Sequence, residues 1–438
     1  MEHEHYTGIF SLTPCRITPI VLNVPPPIPL KHMLTLLQPW QTRLFKTSSG
    51  RLGLCIGLAA SISGFAGDTN SLKGKVYPDE HKVIIAEESG YEVLQLTTNS
   101  ADNSGLYFTS RSFVPDENGL VFTSRRTGAW NLFYMNLKTF TFVQLTDSKK
   151  ISGTGAEVSP ATHEVFYSEG RMIKAVHLKT LAERVVTTVP EGYSLGSALS
   201  VTASGKALAF SITTNLVLTT KTKVIYSDMD EHFAKRPWSA VLTGNADGSG
   251  WHEIARQEKW LSHTLISPQN PKLILYCHEG RWNQVEQRLW LVNADGSNIH
   301  PLRVEEKPEI SIGHEFWFED GIHVGYQVSY PKGPKMIGVA DTRDGSVHEY
   351  QAPYTDGHVQ ASHHGNLFVG DGSDKDPYLN LYQLADGKLT GRHIFKHGSS
   401  FSQQYWHPHP AFSPDDAYVL FTSCRAGNGD VYLIKLPR

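Results

Sequence analysis

Along most of this chain, apolar and polar residues alternate in short runs separated by turn-forming clusters. Residues 113–147, "FVPDENGLVFTSRRTGAWNLFYMNLKTFTFVQLTD", show the unit clearly: a Pro-Asp turn, a β-rich run ending in "FTS", a polar-Gly turn, then two further alternating runs. A period of two places successive side chains on opposite faces of a strand. The Gly, Asp, Asn and Pro clusters between the runs mark turns. The phrase returns in "FSPDDAYVLFTSCRAGNGDVYLIKL" (412–436), and weaker copies begin at Val158, Val201, Ile266, His314 and Ala361. Seven units of about 40–50 residues, each the size of one four-stranded blade, predict an all-β, seven-bladed β-propeller. Sustained 3.6-residue periodicity is missing, and tandem self-similarity favours a propeller over a β-sandwich. The last unit lacks an outer strand. Residues 81–99, "HKVIIAEESGYEVLQLTTN", have no blade of their own and are predicted to pair with the C-terminal blade and close the ring.

Before these repeats the pattern changes. "RLFKTSSGRLGLCIGLAASISGFAGD" places Arg43, Lys46 and Arg51 ahead of an apolar stretch from Leu52 to Ala66, with small residues after it. That order predicts a signal segment over about residues 43–67, cleaved near Ala66–Gly67, and hence a periplasmic or secreted protein; if the segment is not a signal, the expectation is cytoplasmic. The stretch is too short and glycine-rich to span a membrane stably, and Leu54 before Cys55 does not fit a lipoprotein signal. The expected organisation is a leader over 1–67 and one propeller domain over 68–438. Losing the leader moves the formal net charge from −3 to about −6, so an anionic ligand would need a local cation cluster or a metal. The 438 residues are 40% hydrophobic and 19% charged. That composition is globular, and with no basic run it gives nucleic acid no footprint. Of the four cysteines, Cys15 and Cys55 fall in the leader; the spacing of Cys277 and Cys424 suggests neither a disulfide framework nor a metal knuckle.

Blade-inner strands line the central channel of a propeller, so chemistry is expected at or just before the start of each unit. Several of the 21 histidines fall there. In "QQYWHPHPAF", His407 and His409 are two apart, so on a strand both imidazoles would face one way. Such a pair either ligates a divalent metal, with the amide oxygen of Gln404 as a harder ligand suiting manganese or calcium, or caps strands and hydrogen-bonds across the channel. His314 opens a unit in "GHEFWFEDG", His278 closes a strand in "YCHEGRW", and Arg288 precedes "LWLVN". His358 lies ahead of His363, His364 and "GDGSD". "GYSLG" (192–196) fits a nucleophile-elbow pattern, but no helical pattern follows it; a turn is expected there, not a hydrolase serine.

The phrases "CHEG", "HEFW", "GDGSD" and "HPHPAFSPDD", in that order, resemble the oligogalacturonate lyase family over roughly residues 80–438, most specifically from Cys277 onward. The resemblance implies a seven-bladed propeller and a manganese-type site built from His358, Gln404, His407 and His409. It implies a catalytic base at His314, a catalytic and substrate-binding arginine at Arg288, and a substrate contact at His278. The implied partner is an acidic oligosaccharide, a short pectin fragment. The implied reaction is metal-assisted β-elimination, in which a neutral imidazole removes the C5 proton of a uronate while a cation and a guanidinium stabilise the charge on its carboxylate. Two features depart from the family pattern: Arg281 stands where proline is frequent, and the chain carries an export signal. The rival expectations are a lyase for another uronide and a non-catalytic TolB-like propeller that binds a protein or cell-wall partner.

Overall fold

The computed structural model describes residues 71–437 apart from 282 and 307–309. The expected leader over residues 1–67 therefore lies outside the described residues. The described strands form seven antiparallel sheets, blades 1 to 7, whose second strands are in order Gly119–Ser124, Glu164–Glu169, Ala207–Thr214, Leu273–His278, His323–Ser329, Leu367–Gly370 and Tyr418–Ser423. Each sheet packs against the next, the last meeting the first. One short helix, Met229–Ala234, is the only α-helix among the described residues.

Each interface between neighbouring blades holds its own apolar cluster. Between blades 5 and 6, for example, Phe316 and Ile337 meet Val359, Phe368 and Tyr382; between blades 7 and 1, Leu420 and Val431 meet Phe122 and Phe133. Both faces of a blade are thus covered, which is why a middle strand such as Gly119–Ser124 is buried at all six positions. Each fully buried Leu, Ile, Val or Phe contributes about 1.5–3 kcal/mol by leaving water. Repeated around the ring, this burial fixes the blades and the channel between them.

Ring closure follows the sequence expectation and adds a strand to it. Glu92–Gln95 pairs antiparallel with Asp430–Lys435, Val93 opposite Ile434, and Lys82–Ile85 pairs outside it. A buried carboxylate secures the joint: Asp430 accepts from Gln95 Nε2 (3.0 Å), Thr97 Oγ1 (2.9 Å) and Asn103 Nδ2 (3.1 Å).

Candidate active site

Antiparallel order brings the start of a blade's first strand, the end of its second and the start of its third to one rim. In blade 4, Leu261 lies opposite His278 and Cys277 opposite Leu289. Most of the candidate residues gather at this rim.

His358 directly precedes the inner strand Val359–Ala361 of blade 6, and His407 and His409 precede Ala411–Phe412 of blade 7. All three are buried, and one ring nitrogen from each lies within 4.8 Å of the others. The pair does not share a strand as expected. His407 follows the 3-10 turn Gln404–Trp406 in an extended conformation (φ −59°, ψ 139°), the region favoured before proline. His409 takes the left-handed region (φ 45°). A turn, not strand alternation, brings the two rings to 5.4 Å.

The nitrogens divide into held and free. His358 Nδ1 meets Asp371 Oδ2 at 2.7 Å, and its backbone N–H donates to Asp371 Oδ1 at 2.6 Å, leaving Nε2 for the cluster. His407 Nε2 donates to the Phe401 carbonyl (2.9 Å). The Nδ1 atoms of both His407 and His409 are buried without a hydrogen-bond partner. Gln404 brings its amide nitrogen to 3.2 Å from His409 Nε2, while its Oε1 accepts from Tyr226 (2.8 Å). Orphaned buried polar atoms are costly unless something satisfies them. A carboxylate behind the imidazole is the usual support of a metal-ligating histidine. Burial, then the neighbouring imidazoles, holds His358 and His409 well below the ordinary histidine range; burial also lowers His407. Neutral imidazoles are the form that ligates, so the donor set fits a divalent transition metal.

Beside this cluster stands His314, its ring 4.3 Å from that of His358. Gly313 pairs with Gln327 and Phe316 with Gly325, so His314 and Glu315 together oppose a single residue. Such a bulge re-aims a side chain, and His314 sits at φ 49°. Gln327 donates its Nε2 to the Asp356 carbonyl (2.9 Å), so its Oε1 faces His314 Nδ1 (3.2 Å) as acceptor. His314 Nε2 is then the basic nitrogen. Burial first, then the charges of His358 and His263, keeps this imidazole neutral.

Arg288 lies at the same rim but underneath it, 1% exposed. Its Nη1 reaches Glu279 Oε1 (3.1 Å) and its Nε reaches Glu315 Oε2 (3.3 Å). His263 completes the group, with Nδ1 at 3.2 Å from Glu315 Oε1 and Nε2 at 3.7 Å from Glu279 Oε2. The Tyr107 ring, from blade 1, lies edge-on to His409 (4.8 Å) and His263 (6.1 Å).

His278 points elsewhere. Glu279 turns into the pit that Tyr107, His263, His314, His358 and His409 surround, so its neighbour faces the other way: His278 Nε2 meets Gln257 Oε1 (2.7 Å) and the ring packs on Trp290. Burial lowers its pKa to about 3. It borders a neighbouring cavity of about 380 Å³ with Lys259 and Arg236. His363 and His364 lie past the far end of their inner strand, bonded to Asp416. "GYSLG" contributes the short strand Tyr193–Leu195 paired with Ala207–Thr214; no nucleophile elbow forms.

Sequence reasoning missed Glu279, Glu315, Asp371 and His263. The first three adjoin or fall within "CHEG", "HEFW" and "GDGSD", so the motifs carried the signal although only their histidines were read. His263, in "LSHTLI", is a polar residue in an apolar inner strand, the same signature as His314. An excursion over residues 215–237 of blade 3 was also unforeseen. It carries Tyr226 to Gln404, and its Asp230 pairs with Arg281 (2.6 Å), the residue that departs from the family pattern. Its Phe233 ring packs so close to Gly280 that a Cβ there would stand 2.6 Å from it, a close approach only glycine permits.

The family model for oligogalacturonate lyase matches residues 72–438. The oligogalacturonide lyase of Pectobacterium atrosepticum is 28% identical over 83% of this chain and 98% of that protein. The oligogalacturonate lyase of Dickeya dadantii gives 28% over the same shares. A solved oligogalacturonate lyase in complex with manganese superposes with a TM-score of 0.78 at 28% identity, covering 84% of this chain and 98% of that one. That of Vibrio parahaemolyticus also gives 0.78, at 27% identity, over 84% and 99%. The chain belongs to the oligogalacturonate lyase family and is thereby a polysaccharide lyase.

Proposed function

We propose that the protein cleaves short oligogalacturonides by metal-dependent β-elimination at the rim site. The observation that carries this reading is the pairing of two histidine environments. His358, His407 and His409 present converging nitrogens, two of them, His407 Nδ1 and His409 Nδ1, buried without a partner, while His314 beside them is held neutral with its Nδ1 against Gln327. His358, Gln404, His407 and His409 would hold the metal, and the manganese complex of the related lyase supports that ion. When bound, a divalent cation supplies Lewis acidity towards a uronate carboxylate.

The chain's own residues supply the rest. His314 Nε2 accepts the C5 proton, which is weakly acidic because it lies α to the carboxylate. Arg288 contributes positive charge from below, fixed between Glu279 and Glu315. Lys259 and Arg236, on the adjoining cavity with His278, offer cations to a second uronate of the chain. Export through residues 43–67 belongs to the same reading, and a mature N-terminus just beyond residue 67 on the periplasmic or secreted protein checks it.

The test is His314→Ala. Elimination from digalacturonate, followed by product analysis, should fall about 10²–10⁴-fold, the usual contribution of a general base, while manganese binding persists. Near-normal elimination with the metal bound would overturn the base assignment.

A further inference from the structure

His263 and His314 occupy corresponding places in adjacent blades. In blade 4, Ser262 pairs with Cys277 and Leu265 with Leu275, so His263 and Thr264 oppose one residue, as His314 and Glu315 do in blade 5. Both histidines take the left-handed region, at φ 44° and 49°. Their rings face each other across the pit, nearly parallel, with centroids 6.2 Å apart.

Their surroundings differ. His314 faces an amide and another imidazole, whereas each nitrogen of His263 faces a carboxylate, Glu315 at 3.2 Å and Glu279 at 3.7 Å. Glu315 Oε1 is buried without a hydrogen-bond partner, so the two carboxylates act on this ring as charges, and opposite charges this close favour its protonated form. Charge balance agrees. Glu279 and Glu315 are opposed by Arg288 alone if His263 is neutral, leaving one uncompensated buried negative charge, which is expensive. The groups facing His263 are Glu279 and Arg288 of its own blade, Glu315 and His314 of blade 5, His358 of blade 6 and Tyr107 of blade 1. Although burial opposes the charge, the two carboxylates prevail and raise its pKa while that of His314 is lowered, so the two imidazoles are pushed in opposite directions. Environments that push two such groups apart mark an acid and a base.

Resting on the elimination reading of this same site, we infer that His263 is the general acid that protonates the departing oxygen. As His314 takes the C5 proton, the C5–H electron pair forms the C4–C5 double bond and the C4–O bond breaks. Its electron pair stays on the oxygen attached to C1 of the neighbouring sugar. His263 Nε2–H donates to that oxygen, giving a free reducing-end hydroxyl and a neutral imidazole that keeps its remaining proton on Nδ1, beside Glu315. Proton exchange with water resets both rings.

The experiment compares two substrates: digalacturonate, whose sugar alkoxide needs a proton, and a galacturonide carrying 4-nitrophenoxide at C4, which leaves without one. In the manganese-loaded enzyme, His263→Gln should lose about 10²–10⁴-fold on digalacturonate and less than about tenfold on the nitrophenyl substrate. With digalacturonate, wild-type kcat should fall at alkaline pH as His263 loses its proton. That limb should move to lower pH in Glu279→Gln and be absent with the nitrophenyl substrate. Equal losses on both substrates, or no loss on digalacturonate, would overturn the assignment. His314→Ala separates the two readings, because loss of the base removes activity on both substrates; if it keeps both rates with metal bound, the elimination reading falls and the acid role falls with it.

Discussion

Replacing Asp371 by asparagine should weaken metal binding by converting His358 to the wrong tautomer. Asp371 accepts from two donors of one residue, the backbone N–H of His358 at 2.6 Å and Nδ1 at 2.7 Å. An amide offers one acceptor and one donor. The backbone cannot surrender its proton, so the amide oxygen remains there and the amide N–H turns to Nδ1. Nδ1 then becomes an acceptor and the proton moves to Nε2, the nitrogen directed at His407 and His409. Loss of such a supporting carboxylate costs roughly 10–100-fold in metal affinity, or about 1.4–2.7 kcal/mol. A charge-assisted hydrogen bond of about 1.5–3 kcal/mol gives the same scale independently. Calorimetric titration of manganese into chelator-stripped wild type and Asp371→Asn measures it, with far-ultraviolet circular dichroism to show that both are folded. A Kd within twofold of wild type would refute the reasoning. Asp371 would then be a structural carboxylate unconnected to the ligand it touches.

Removing one carboxylate from the buried group beneath the pit should be severe. Glu315→Ala leaves Arg288 and His263 short of a counter-charge, and about 3–5 kcal/mol of stability is expected to go in urea unfolding; a loss below about 1 kcal/mol would contradict the charge pairing. The acid limb of kcat/KM should lie below about 6.5, the unperturbed histidine value. His314 is held below that value and works only when neutral, so activity is lost only as pH falls through the lowered pKa; a limb centred above 7 at saturating manganese would contradict this. At the ring joint, burial raises Asp430 to about 7. Its neutral form therefore favours the folded state, and the advantage is lost as pH rises from about 4 towards about 7. The stability of wild type relative to Asp430→Asn should decline across that window, whereas a constant difference would show that Asp430 does not titrate on folding.

The fold was legible because burial on both blade faces forces each unit into the same alternation, and seven copies make the period visible. "FTS" recurs at Phe122–Ser124 and Phe421–Ser423 since both end the second strand of a blade beside the first. The clustered histidines are legible through "HPHP", but their convergence is not: a 3-10 turn and a left-handed residue, not strand alternation, bring the rings together. His278 illustrates the opposite case. A motif names neighbours, and alternation then sends one of each pair away; in "CHEG" the glutamate faces the pit and the histidine faces Gln257. The roles of Glu279, Glu315 and His263 could not be read from spacing, because they depend on bulges in two blades registering side by side.

The central claim is a metal-dependent elimination, and its most direct test is product analysis on digalacturonate and trigalacturonate. The protein is stripped with chelator, assayed, and resupplied with manganese. The account predicts no cleavage in the stripped protein and, on resupply, products that gain ultraviolet absorbance or carry a keto-deoxy sugar. Cleavage unaffected by stripping, or a manganese-loaded protein that leaves both oligomers intact, would contradict it.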